Sequence, residues 1–93
     1  NLEYQTKNHH KALKLLTDAI SIDSSVAAVH NNRGNVLKDL NFLQEARLSY
    51  EKAIQLNKNG FHAYLNISYI LIELKNYTKN AIFKCFFTIW YKM

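Results

Sequence analysis

The sequence predicts an all-α fold, a solenoid of antiparallel helix pairs. Three observations lead there. The chain has no proline and only two glycines in 93 residues, so its long periodic segments meet few helix breakers. Apolar residues recur at three- and four-residue steps, the spacing of one helical face. The pattern also repeats at a period of about 34 residues, the length of a helix-turn-helix unit in repeat arrays. One period upstream, Ala12, Leu16, Ala19, Ile20 and Ile22 line up with Ala46, Tyr50, Ala53, Ile54 and Leu56. One period downstream, His30, Asn32, Val36, Leu37 and Leu40 line up with Tyr64, Asn66, Ile70, Leu71 and Leu74.

Each element follows in chain order. Asn1 to Lys7 reads as the end of a first helix, with a turn at Asn8 and His9. A second helix runs from about His9 to Ile22, where Ala12, Leu15, Leu16, Ala19 and Ile20 make one apolar stripe. Asp23, Ser24 and Ser25 end it and cap the next helix, because short polar side chains accept from orphan amides. The third helix covers about Val26 to Leu40. Val29, Val36, Leu37 and Leu40 form its buried side, and Asn31, Asn32, Asn35 and Lys38 occupy another face. Asn41 closes it. A fourth helix, about Phe42 to Leu56, carries Leu43, Ala46, Tyr50, Ala53 and Ile54 inward. Asn57 to Gly60 is a loop, and Gly60 suits a left-handed exit from the helix. The fifth helix, about Phe61 to Leu74, is apolar nearly all round, which implies burial on more than one side. Lys75 and Asn76 mark a turn before a last helix, about Tyr77 to Tyr91, dense in aromatics.

The stretch from Ala27 to Gly60 carries a recognisable order of residues. It reads His30, two residues, Arg33-Gly34, two more, Leu37, then Ala46, three residues, Tyr50, and Ala53. This resembles the tetratricopeptide repeat, two antiparallel helices joined by a tight turn. Gly34, Ala46, Tyr50 and Ala53 are the strongest matches. His30 stands at the aromatic position, Arg33 at a leucine position, and Lys58 where the family closes with proline. The resemblance implies a right-handed superhelix. In it the glycine lets the two helices approach closely, and the alanines sit where they cross. The chain divides into a partial repeat (residues 1–25), a full repeat (26–60) and a degenerate repeat or cap (61–93). The last segment departs from the pattern: Asn80 stands where alanine is expected, with Ala81 one place late.

Totals set bounds on function. Hydrophobic residues are 48% and charged residues 20% of the chain, and the net charge is +5. That balance allows acidic partners but identifies none. The lysines are scattered over many faces, which speaks against nucleic acid. Single cysteine Cys85 excludes an internal disulfide framework and suits a reducing, cytoplasmic compartment. Cys85 lies among Phe83, Phe86 and Phe87 and reads as a buried, inert thiol. No apolar run reaches the roughly 18 residues of a membrane span. His9 and His10 are adjacent, so they do not share a helix face, and no partner at ligand spacing makes them a metal site. No phosphate loop and no nucleophile–base spacing points to catalysis, so the chain reads as a non-enzyme without a cofactor.

The resemblance implies where a partner binds. The family's binding surface is the concave face formed by the first helix of each repeat. Here the candidate groove residues are Asn31, Asn32, Asn35 and Lys38, followed one repeat later by His62, Leu65, Asn66 and Tyr69. Ala28, Asp39, Ile72 and Glu73 complete the face. Asn32 and Asn66 lie one period apart and are expected to stack as a ladder that bonds a peptide backbone. Ala28-x-His30-x-Asn32 is similar to the asparagine ladder of O-linked N-acetylglucosamine transferases, so a scaffold segment of such a larger enzyme is the alternative reading. An RNA-binding helical repeat is the third. Asn1 and Asn32 match two places of the terminal-carboxylate clamp of chaperone-binding members, but His62 and Asn66 replace its lysine and arginine. The expected function is therefore a protein-interaction module and scaffold, holding a partner peptide or helix in its groove. Residues after Phe61 lack the polar outer face of a terminal hairpin, so self-association, or the docking of a further repeat or partner, is expected there.

Overall fold

The computed structural model describes the backbone of residues 2–92 and the side chains of residues 5–75 and 90. It holds α1 (Leu2–Ile22), α2 (Ala27–Asp39), α3 (Leu43–Leu56) and α4 (Phe61–Lys92). Helix α2 is the hub. It packs on α1, on α3 and on α4, and α3 packs on α4 in turn. The molecule is therefore an all-α array in which successive helices lie antiparallel beside their neighbours.

Two expected turns are not formed. Helix α1 runs straight through Asn8 and His9, and α4 runs straight through Lys75 and Asn76. The physical reason is local. Neither site holds a proline or a glycine, and isolated asparagine costs only a few tenths of a kcal/mol in a helix, up to roughly 0.7. Where the chain does turn, specific groups enforce it.

The α2–α3 turn shows this best. Asn41 has a φ of 67°, the left-handed conformation that asparagine tolerates better than most residues. The Phe42 amide then donates to the Leu37 carbonyl at 2.8 Å, and the Asn41 amide to the Lys38 carbonyl at 2.9 Å. These two bonds define a Schellman closure, with asparagine in the place usually taken by glycine. The other loops close differently. Gly60 does not adopt a positive φ, contrary to expectation. The Asn57–Gly60 loop is held by Asn57, whose side-chain oxygen accepts from the Asn59 amide at 3.1 Å and whose carbonyl accepts from the Gly60 amide at 3.0 Å. Nor do the serines cap α2. Val26 is the N-cap, with no side-chain bond. The Asp23 carboxylate is instead spent on Ser25, accepting from its hydroxyl at 2.6 Å and its amide at 2.9 Å. Those two bonds hold the Asp23 carboxyl below its ordinary range, the hydroxyl contributing most.

The core lies where α2, α3 and α4 meet. Leu37, Ala46, Tyr50 and Ile70 are buried, with Leu13, Leu43, Ile67 and Leu74 packed against them. Burying a leucine such as Leu37 contributes about 1.5–3 kcal/mol. Gly34 and Ala46 keep α2 and α3 close, as their positions in the repeat pattern require. Among the described residues, helix α1 packs on α2 alone, and Leu15, expected in its buried stripe, is 69% exposed. The described part of α4, residues 61–75, is not buried on more than one side. Ala63 and Ile70 face inward, whereas Leu65, Tyr69 and Ile72 are more than half exposed.

Candidate functional site

The candidate groove residues sit on α2 and α4, and their polar members are tied together. The Asn66 side-chain amide donates to the oxygens of both Asn31 and Asn35, at 3.2 Å each. The Asn35 oxygen also accepts from the Tyr50 hydroxyl at 2.6 Å. Three helices thus share one hydrogen-bonded network: Asn31 and Asn35 from α2, Tyr50 from α3 and Asn66 from α4. Burial pushes the Tyr50 hydroxyl up to about 12, and the charge of Asp39 adds to the shift.

The helical spacing explains which residues meet. Asn31 and Asn35 are one turn apart and share a face, and Lys38 lies one further step along it. The Lys38 ammonium sits 5.4 Å from the centroid of the Tyr69 ring, a cation–π contact across the groove. At the other end, Asn31 and His62 line a recess of about 190 Å3 with Ala28, Ala53, Asn57 and Ala63. The His62 ring packs edge-on to Phe61, centroids 6.0 Å apart.

Seven of the eight candidate groove residues fall into three states. Asn31, Asn35 and Asn66 are half-buried and bonded. Lys38 and Tyr69 are paired, and His62 and Leu65 are exposed. The eighth, Asn32, is exposed and is not a partner of Asn66, so the two do not form matching rungs. Asn66 reaches past the equivalent position to Asn31 and Asn35. The Asn1 clamp position and the side chains from Ile82 to Ile89, Cys85 included, lie outside the described residues.

The histidines resolve into structural roles. His30 is buried, and its Nε2 lies 2.9 Å from the Ser24 carbonyl, so that N–H donates there. His9 Nδ1 lies 2.6 Å from the Gln5 carbonyl and its Nε2 3.3 Å from the Asp39 carboxylate, linking α1 to the end of α2. Sequence reasoning missed the part Tyr50 plays beside the groove. Periodicity marks Tyr50 as core but carries no information about where its hydroxyl points.

A hairpin of two close-packed helices, with the first helix of one unit beside the first helix of the next, is the architecture of helical-repeat binding proteins. Residues 27–59, which are α2, α3 and the turn between them, match the family model of the tetratricopeptide repeat. The match covers the central helix pair, and the fold of the chain is an all-α solenoid of that kind. Such repeats are generally non-catalytic motifs of protein–protein interaction. No curated protein matches the chain. Among the described residues, no helix is long and apolar enough to cross a membrane.

Proposed function

We propose that this chain is a non-catalytic interaction module of the cytoplasm that holds a partner peptide or helix against α2 and α4. The observation that carries the reading is the Lys38–Tyr69 pair. It places a cation on the face of an exposed ring, beside exposed Leu65 and Ile72. That surface suits a segment with apolar side chains and a carboxylate near Lys38. The Asn31–Asn35–Asn66 network supports it by fixing the spacing of the two helices before a partner arrives, which lowers the ordering cost of binding.

A displayed peptide library, selected on the 93-residue chain, supplies ligands for calorimetry. Tyr69→Ala and Lys38→Ala should each weaken the selected peptides by about tenfold or more, the scale of a buried aromatic or charged anchor. Peptides that bind both variants as well as the parent chain would remove the groove assignment. Sedimentation that depends on concentration, and is abolished by Leu65→Glu, would make a second copy of the chain the occupant of this face.

A further inference from the structure

We propose that the cleft between α1, α2 and α3 is a binding site for a phosphate group, carried on a monoester or free. The cleft has a volume of about 480 Å3 and lies on a different face of α2 from the groove. Two positions where the repeat departs from its family's apolar residues, His30 and Arg33, both open into it. Lys52, Thr17, Ser24 and Ser49 complete its polar wall. The lining holds two fixed cations and no carboxylate.

Arg33 is the centre of the argument. It is half-buried, and among the described residues its guanidinium donates only to hydroxyls: Nη1 to Ser49 at 2.8 Å and Nε to Thr17 at 3.3 Å. No ion pair to Arg33 is present among the described residues. Several nearby carboxylates are engaged elsewhere. Asp18 pairs with Lys14 at 3.3 Å, and Glu51 with Arg47 at 3.6 Å. The Asp23 carboxylate is held by Ser25. A partly desolvated guanidinium without a counter-ion attracts an anion. The rest of its N–H fork is left for that anion. Thr17 and Ser49, while accepting from Arg33, each keep a hydroxyl proton that they can donate.

The chemistry selects phosphate over carboxylate. A carboxylate brings one charge and two oxygens, which Arg33 alone can satisfy. A phosphate monoester brings a charge near −1.5 to −2 and three terminal oxygens. That matches an arginine fork, a lysine and two hydroxyl donors, in a cleft with room for more than one small group.

The test is a titration of the nitrogen-15-labelled chain, followed by NMR. The probes are O-phosphoserine, inorganic phosphate and acetate. Signals of Thr17, Ser24, Arg33, Ser49 and Lys52 should shift saturably with the phosphates and much less with acetate. Lys52→Ala, an exposed and therefore fold-neutral change, should weaken phosphate about tenfold, the worth of one hydrogen bond to a charged group. Arg33→Leu returns the residue usual in the repeat and should abolish the response while the helical signals persist. Tighter binding of phosphoserine than of inorganic phosphate places the group on a partner protein, and the reverse order places it on free phosphate. Shifts that never saturate, an equal response to acetate, or undiminished binding by Arg33→Leu would each overturn the site.

Discussion

The ring of Tyr50 occupies the space that a side chain on Gly34 would need. A Cβ built on Gly34 falls 2.6 Å from Tyr50 Cε1 and 2.7 Å from Cδ1. The ring has little freedom to retreat, because it is fully buried and its hydroxyl is bonded to Asn35. The approach of α2 to α3 and the groove network are thus built on the same tyrosine.

Gly34→Ala should destabilise the fold. Overpacking costs roughly 1–3 kcal/mol. The better helix propensity of alanine offsets about 1 kcal/mol of that. A net loss of stability in urea unfolding is expected, and an unchanged or raised midpoint would show that the ring yields easily.

Tyr50→Phe keeps the ring and removes the hydroxyl. The Asn35 oxygen retains its bond from Asn66, so the loss should be about 0.5–1.5 kcal/mol. The pH dependence is more specific. The folded hydroxyl titrates near 12 against an ordinary value of 10.0, so the proton is held more tightly in the folded chain. Its contribution to stability is complete below pH 10 and is lost as the pH rises towards 12, by up to about 1.4 kcal/mol per pH unit. The stability advantage of the parent chain over Tyr50→Phe should therefore shrink in that window, and a constant difference would contradict the burial of the hydroxyl.

Asn66→Ala and Asn32→Ala should behave differently although they stand at equivalent repeat positions. Asn66→Ala removes two bonds and leaves the half-buried Asn31 oxygen unpaired, at a cost of about 1–3 kcal/mol. Asn32 is exposed, so its replacement should fall within about 0.5 kcal/mol of neutral. Calorimetric unfolding of the two variants separates them, and equal midpoints would break the network as described.

Ala46→Leu should cost about 1–3 kcal/mol, since Ala46 is fully buried in the core with Leu37, Tyr50 and Ile70. Ala53 is nearly as buried, but it borders the 190 Å3 recess beside Asn31 and His62. A leucine there has space to enter, so Ala53→Leu should be the milder change. Thermal melts of the pair check the order, and the reverse order would place the tight crossing at Ala53.

Much of the fold is legible in the sequence for identifiable reasons. Gly34, Ala46, Tyr50 and Ala53 are spaced by close packing, and packing is what periodicity records. The closing role of Asn41 is likewise readable, because few residues tolerate a positive φ. The turns expected at Asn8–His9 and Lys75–Asn76 rest on the repeat period alone. No residue there opposes a helix, so the helices continue. The site is legible only as a strip of residues. That Asn66 bonds Asn31 and Asn35 rather than aligning with Asn32 depends on how α4 lies across α2, and no spacing within one helix encodes that angle. Arg33 was visible as a departure from the family pattern, but the cleft it enters is made by α1 and α3 as well.

The position of α2 as hub has a consequence for the order in which the chain opens. Of the fully buried residues, Leu37, Ala46 and Tyr50 belong to α2 and α3 and Ile70 to α4, whereas among the described residues α1 rests on α2 alone. Every helix contact joins elements that are neighbours or next neighbours along the chain, so little loop entropy opposes folding. Repeat arrays of this sort lose structure from their ends, each unit being held only by the units it touches. Amide hydrogen exchange should accordingly be slowest around Leu37 and Tyr50 and faster along α1. The central hairpin then acts as the template on which the outer helices dock and from which they first depart.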